Sequence, residues 1–240
     1  MTSLVARGVA IGGRLQPTDL DIQAGELVAL VGPNGGGKTS LLRALARIES
    51  ASGVVAIDGE DVDLAPLARR RQLLSFLPAS REVTWPISAR DVIALGLDRP
   101  DDARIDELID LFELGKLADR PVSRLSTGER ARVLAARALA ANPAVLLLDE
   151  PLSNLDPYWV LRFLTIFETA ARSGQAVLVA LHDLSQLRHF QRALLIANGK
   201  VEADEAPKSL MASERFERVF RIHAAAGGWQ IRPEDRRSSP

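Results

Sequence analysis

The segment Gly32-Pro33-Asn34-Gly35-Gly36-Gly37-Lys38-Thr39 has the residue types needed to hold a chain of phosphates. Glycines let the backbone curl until successive N–H groups face one anion. Lys38 adds a full positive charge for the β- and γ-phosphates, and the Thr39 hydroxyl is a ligand for Mg²⁺. The spacing matches G-x-x-x-x-G-K-[ST] throughout. Apolar Leu27–Val31 reads as a buried strand before the loop. From Ser40 to Ile48, Leu41, Leu42 and Leu45 recur at helical spacing after it. The loop therefore joins a strand to a helix, and the partial positive charge of that helix N-terminus faces the same anion. ATP with Mg²⁺ is the ligand these residues predict, with Gly32 to Ser40 as its phosphate contacts.

Val145-Leu146-Leu147-Leu148 leads into Asp149-Glu150, an apolar strand ending in two carboxylates. An Asp at such a strand end helps to hold Mg²⁺, and Glu150 is then placed to polarise an attacking water as a general base. A parallel sheet brings this strand end to the same rim as the phosphate loop. His182 follows a further apolar run, Ala176–Leu181, and is a candidate contact for the γ-phosphate.

These segments need a scaffold that presents strand ends side by side. The 240 residues are 47% hydrophobic and 25% charged, enough apolar material for a sizeable core. Formal net charge is −1, so no global basic field points to nucleic acid as a partner. The absence of cysteine excludes a disulfide framework and thiolate metal sites. Residues 1–7 lack a basic stretch followed by an apolar run, so no leader is expected. No apolar run approaches the ~18–20 residues of a membrane span.

Apolar strands at Leu27–Val31, Ala144–Leu148, Ala176–Leu181 and Ala193–Ala197, with another strand at Val54–Ile57, alternate with helical stretches. The latter are Ala89–Leu97, Ala103–Phe112, Gly128–Ala140, Trp159–Ser173 and Leu184–Gln191. Strands buried on both faces predict an α/β nucleotide-binding core around a mainly parallel sheet. The expected organisation is one domain. Its core lobe covers about 1–78 and 141–225, a helical lobe is inserted at about 79–140, and a polar tail runs from about 226 to 240.

Leu125-Ser126-Thr127-Gly128-Glu129, opening the helix that carries Arg132, Val133 and Arg137, resembles the L-S-G-G-Q signature of the ABC ATPases. Leu148-Asp149-Glu150-Pro151, Ser153-Asn154-Leu155-Asp156 and Leu181-His182-Asp183 follow in that family's order, so the resemblance runs from about Gly8 to Phe220. It implies a P-loop NTPase core, an N-terminal antiparallel β portion and an inserted helical subdomain. It implies that two copies of the chain pair head to tail, with each ATP between the phosphate loop of one and the signature residues 125–129 of the other. By the same resemblance Glu150 is the catalytic base, Asp149 serves Mg²⁺, His182 is a switch histidine and Asp156 communicates across the pair.

Two positions depart from the family. The Gln that usually ends the strand entering the helical lobe is replaced by Ala79, and Ser80 is the nearest oxygen. The aromatic residue that usually stacks on adenine is missing from Ala10-Ile11-Gly12-Gly13-Arg14, which leaves Ile11 for apolar contact and Arg14 for weak stacking. The stretch Val83–Val92 resembles ATPase subunits of importers for iron-siderophores, haem or cobalamin. That likeness implies transmembrane permease subunits contacted through Ala79, Ser80 and Trp85, an external substrate-binding protein, and a peripheral location on the cytoplasmic face of the inner membrane. A soluble ABC ATPase without a permease, and a weakly hydrolysing subunit limited by Ala79, stand as alternatives.

Overall fold

A computed structural model gives the fold and describes residues 3–81, 83, 86–225 and 228–231. Two antiparallel strands, β1 (Ser3–Ile11) and β2 (Leu15–Gln23), open the chain, and β3 (Leu27–Val31) leads into the phosphate loop and α1 (Lys38–Leu45). Strands β4 (Ser52–Ile57) and β5 (Glu60–Asp61) complete a four-stranded antiparallel sheet in the order β2-β1-β4-β5. Pro17 has no N–H to give to a ladder and lies on the edge strand β2, where that loss costs nothing.

Helix α2 (Leu67–Leu73) precedes β6 (Leu74–Leu77), and α3 (Ala89–Ala94), α4 (Asp102–Leu111) and α5 (Thr127–Leu139) follow. The chain then alternates through β7 (Val145–Asp149), α6 (Pro157–Arg172), β8 (Ala176–Ala180), β9 (Arg192–Ala197) and β10 (Lys200–Glu205). The central sheet has the order β10-β9-β3-β8-β7-β6, parallel except at the edge strand β10.

Side chains of a strand point to alternate faces, and here both faces are covered. Ala29, Leu146, Leu148, Val177 and Val179 pack with α3–α6, while Val28, Leu30, Leu147 and Leu178 pack with α1 and the antiparallel sheet. This explains why β3, β7 and β8 are apolar at every position rather than at every second one. It also places the C-terminal ends of all three at one rim, where the candidate site residues lie.

The helical side is held by aromatic and cationic contacts. Phe163 on α6 meets Phe112, just after α4, edge to face at 5.6 Å. Arg132 on α5 lies 4.4 Å from the ring centre of Trp159 on α6 and donates to the Phe112 carbonyl at 3.0 Å. Such ring pairs and cation–π contacts contribute roughly 0.5–2 kcal/mol each. They lock the orientation of α5 against α6.

Two expectations are corrected. The helix expected over Leu184–Gln191 is a 3₁₀ segment, Leu184–His189. The Asp183 carboxylate accepts from the Ser185 amide at 2.9 Å, a tight local turn that competes with an α-helical start. The tail expected from 226 begins too early. After α7 (Pro207–Met211) and α8 (Glu214–Phe220), β11 (Ile222–Ala225) pairs with β12 (Gly228–Ile231), and Trp229 packs on Phe216 with ring centres 5.4 Å apart. One aromatic side chain finding a neighbour is what periodicity over so short a segment could not reveal.

Candidate active site

The phosphate loop leaves β3 and is shaped by close backbone approaches. A Cβ on Gly32 would sit 2.0 Å from the Ile196 carbonyl oxygen, so only glycine fits against β9 there. Gly37 has φ of 115° and is the N-cap of α1 with no side chain capping it. The first-turn amides of α1 are thus left for an anion. The turn between β9 and β10 braces the loop from behind, where the Gly199 amide donates to the Gly36 carbonyl at 2.9 Å.

The loop lines a cleft of about 480 Å³ with Gly13, Arg14, Thr39, Ser40, Glu150, Asn198 and Gly199. Lys38, 6% exposed, folds its Nζ onto the Gly32 carbonyl at 2.8 Å and the Pro33 carbonyl at 3.4 Å. Burial lowers its pKa, and the nearby Glu150 and Asp149 oppose that shift.

Asp149 is the last residue of β7 and is 1% exposed. Burial raises its pKa, while the adjacent Thr39 hydroxyl pulls it down. Its Oδ1 is buried without a hydrogen-bond partner. A solvent-shielded carboxylate oxygen with no donor, beside a hydroxyl at the edge of a phosphate cleft, fits a hard divalent cation.

Glu150 follows in the left-handed region, with φ of 49°, and its amide donates to the Ala180 carbonyl at 3.2 Å. The side chain sits between two cavities. One is the phosphate cleft; the other, about 470 Å³, is lined by Ser153, Asn154, Leu155, His182, Asp183 and Gln186 among others. His182 is exposed at the end of β8. The structure thus brings the two carboxylates, the lysine, the hydroxyl and the histidine to one rim.

The signature residues stand apart: none of them lines the phosphate cleft. Ser126 and Glu129 form a capping box on α5, in which the Glu129 amide donates to Ser126 Oγ at 3.3 Å and the Ser126 amide donates to Glu129 Oε2 at 2.8 Å. The Ser126 amide, and after it the Ser126 hydroxyl, hold the Glu129 carboxyl below its ordinary pKa. Ser126 Oγ accepts in this arrangement, and its own hydrogen faces the Glu129 carboxylate. A Cβ on Gly128 would meet only Leu155 Cδ2, at 3.9 Å, so the helix end is open to an approaching group. Leu125 faces the other way: it is buried and anchors the motif in the helical core rather than contacting a ligand. Asp156 caps α6, accepting from the Trp159 amide at 3.0 Å.

The base-contact expectations need correction. Ile11 is 4% exposed and packs with Leu41, Leu42 and Ile196 in the core, because strand alternation turns it away from the cleft. Arg14 does line the cleft, but its guanidinium is paired with Glu49. Ala79 and Ser80 are exposed after β6, and Ser80 borders a groove of about 230 Å³ shared with Pro78, Val83, Leu134 and Arg137. Trp85 lies outside the described residues.

Two contributors were not singled out from the sequence. Asn198-Gly199 could have been found as a hairpin signal between β9 and β10. Arg81 carries no motif, and only its three-dimensional partners reveal it.

The family model described as ABC transporter matches residues 15–153. The chain belongs to the ABC transporter family. Its likeness to the hemin import ATP-binding protein HmuV of Streptomyces coelicolor is 39% identity over 227 residues, covering 88% of this chain and 80% of that one. The lipopolysaccharide export system ATP-binding protein LptB of Escherichia coli K12 is 35% identical over 234 residues, covering 92% and 97%. A solved dimeric structure of the ATP-binding cassette MJ0796, in a post-hydrolysis state bound to ADP and Pi, superposes with a TM-score of 0.74 at 25% identity and covers 86% of this chain and 99% of that one. The chain is accordingly an ABC transporter ATP-binding subunit and an ATP hydrolase of the ABC type.

Proposed function

We propose that the chain works as a head-to-tail pair and powers uptake of a metal chelate, of the iron-siderophore, haem or cobalamin class, through separate permease subunits. The observation that carries the paired arrangement is the division of the site. The phosphate cleft and the signature helix end are distinct surfaces of one chain, each suited to an anion and each open. Two copies arranged head to tail bring the two surfaces to opposite sides of one ATP.

In that arrangement Lys38 exchanges the Gly32 and Pro33 carbonyls for phosphate oxygens, and the loop amides take the remaining charge. Thr39 and Asp149 would hold Mg²⁺, which would offset the negative charge of the phosphates. Glu150 accepts a proton from the attacking water as the water oxygen bonds to the γ-phosphorus and the bond from that phosphorus to the bridging oxygen breaks, with ADP leaving on that oxygen with the electron pair, and His182 orients the γ-phosphate. The partner's copy of Ser126 donates its hydroxyl to the same phosphate, and Asp156 lies beside the seam.

The import direction is supported by the relative named for hemin import, against a less similar one named for lipopolysaccharide export. The groove at Ser80 and Val83 is the surface proposed for the permease, next to the exposed Ala79. An external substrate-binding protein would deliver cargo to that permease. No helix among the described residues is long and apolar enough to cross a membrane, in keeping with a peripheral subunit on the cytoplasmic face. Isolation of the intact complex tests this reading. A polytopic membrane protein should co-purify, and proteoliposomes should accumulate a haem or ferric-siderophore cargo only when ATP is on the subunit's side. Isolation without any membrane partner would defeat it.

Ala79 favours a second reading, in which turnover is slow because a methyl group cannot ligate a metal or a water. Phosphate release measured against a Glu150→Gln control separates slow turnover from none.

A further inference from the structure

We propose that Arg81 is a positioning residue for hydrolysis: it clamps the main chain of the turn that carries Glu150 and ties that turn to the signature helix. This rests on Glu150 being the base.

Arg81 is 8% exposed and lies outside any helix or strand. Its guanidinium reaches one short stretch of main chain. Nη1 donates to the Ser153 carbonyl at 2.7 Å, and Nη2 donates to the Glu150 carbonyl at 3.0 Å and the Pro151 carbonyl at 2.8 Å. None of these acceptors is a carboxylate. Burying a cation with neutral partners alone is costly, and burial indeed lowers the Arg81 pKa despite the opposing pull of Glu150. A fork of N–H groups that serves three carbonyls at once is a property of arginine that lysine lacks.

The clamped turn needs such a constraint. Glu150 at φ 49° and Asn154 at φ 58° are both in the left-handed region, which non-glycine residues hold only when their surroundings oblige them. Ser153 Oγ donates to the same Glu150 carbonyl at 2.8 Å, so the carbonyl of the base residue is gripped from two sides. Fixing that peptide fixes the direction in which the Glu150 side chain leaves the main chain.

The other end of Arg81 is tethered too. Arg130, one turn into α5, donates through Nη1 to the Arg81 carbonyl at 3.4 Å and through Nη2 to the Leu125 carbonyl at 3.0 Å. One residue thus touches the hydrolytic turn with its side chain and the base of the signature helix with its main chain. Its neighbours Ser80 and Val83 line the groove between β6 and α5. Ala79 does not line the cleft, and among the described residues of this segment it is the Arg81 side chain that touches the Glu150 turn.

The test compares Arg81→Ala, Arg81→Lys, Glu150→Gln and the Arg81→Ala/Glu150→Gln double variant by steady-state ATPase, ATP affinity and melting temperature. Arg81→Ala is expected to lower kcat by on the order of tenfold to a hundredfold, with KM and ATP affinity within about twofold. Arg81→Lys should fold and restore only a minor part of kcat. Because Arg81 acts through Glu150, the double variant should be no slower than Glu150→Gln alone. A melting-temperature loss with kcat unchanged, full rescue by lysine, or an equal loss in the Glu150→Gln background would each overturn the proposal, as would failure of both Arg81 variants to fold. Wild-type turnover in Glu150→Gln would instead remove the base assignment, and the Arg81→Ala split between kcat and KM would then stand apart from it.

Discussion

The amide of Glu150 donates to the carbonyl of Ala180 at 3.2 Å, joining the residue just past β7 to the last residue of β8, two before His182. The carboxylate and the histidine therefore share one hydrogen-bonded corner, and the left-handed Glu150 turns the chain away from the sheet there. Replacing only the carboxylate should preserve this corner. Glu150→Gln is expected to slow phosphate release by roughly 10²–10⁴-fold while ATP affinity is retained, as loss of a general base requires. Stopped hydrolysis with trapped nucleotide is the readout; undiminished turnover excludes Glu150 as the base.

Ser126 on α5 and Lys38 on α1 are expected to serve the same ATP only from different copies. Subunits carrying Lys38→Ala and subunits carrying Ser126→Ala should each hydrolyse poorly alone. Mixed, they form heteropairs with one wholly intact site, so activity should recover toward about half of wild type per heteropair. No recovery on mixing would mean that both residues act within one chain. Ser126→Ala should also cost about 1 kcal/mol of stability through loss of the cap.

Asp149 carries an opposite tension between stability and activity. Burial raises its pKa above the ordinary 3.8, so the native state favours its protonated form. The resulting stability is fully present below the unfolded-state pKa and is lost as pH rises through the raised native value. At neutral pH the buried carboxylate is therefore a burden in the nucleotide-free chain. Asp149→Asn should abolish hydrolysis yet raise the melting temperature by a few degrees, about 1 kcal/mol for a chain of this size. The advantage should shrink as pH is lowered toward 4. Calorimetry across pH without nucleotide checks this, and a lower melting temperature at neutral pH would contradict it.

Ala79 stands exposed where family members usually carry a glutamine. Ala79→Gln should raise kcat and shift activity to lower Mg²⁺ concentrations if the missing amide limits turnover. An unchanged rate and Mg²⁺ dependence would show that water or Arg81's turn already suffices.

Base selectivity should be weak. Ile11 is buried, Arg14 is held by Glu49, and Gly12 and Gly13 offer no side chain, so nothing in this stretch reads the base edge. GTP should compete with ATP within about threefold, a gap of under 1 kcal/mol. A strong preference for ATP in competition assays would require a reader elsewhere.

Much was legible in residue order because local chemistry dictates it. The phosphate loop needs glycines, a lysine and a hydroxyl in sequence, and β7 needs an unbroken apolar run before two acids, so Lys38, Thr39, Asp149 and Glu150 could be named without coordinates. Strand alternation was harder to use at Ile11: it sits among residues facing the cleft but points into the core, a choice made by the pairing of β1 with β2 and β4. The hairpin at 222–231 and the 3₁₀ segment at 184–189 likewise depend on one packed ring and one local side-chain bond rather than on any period.

By itself the sequence determined the family and the parallel core and named the candidate residues for phosphate chemistry, because each depends on residues adjacent in the chain. The tertiary structure alone decided that Ser126 stands away from Lys38, that Leu125 is an anchor, and that Arg81 reaches across some 70 residues to the turn at Glu150. These are long-range relations, set by how α5 packs against α6 and β6 against β7, and no spacing along the chain encodes them.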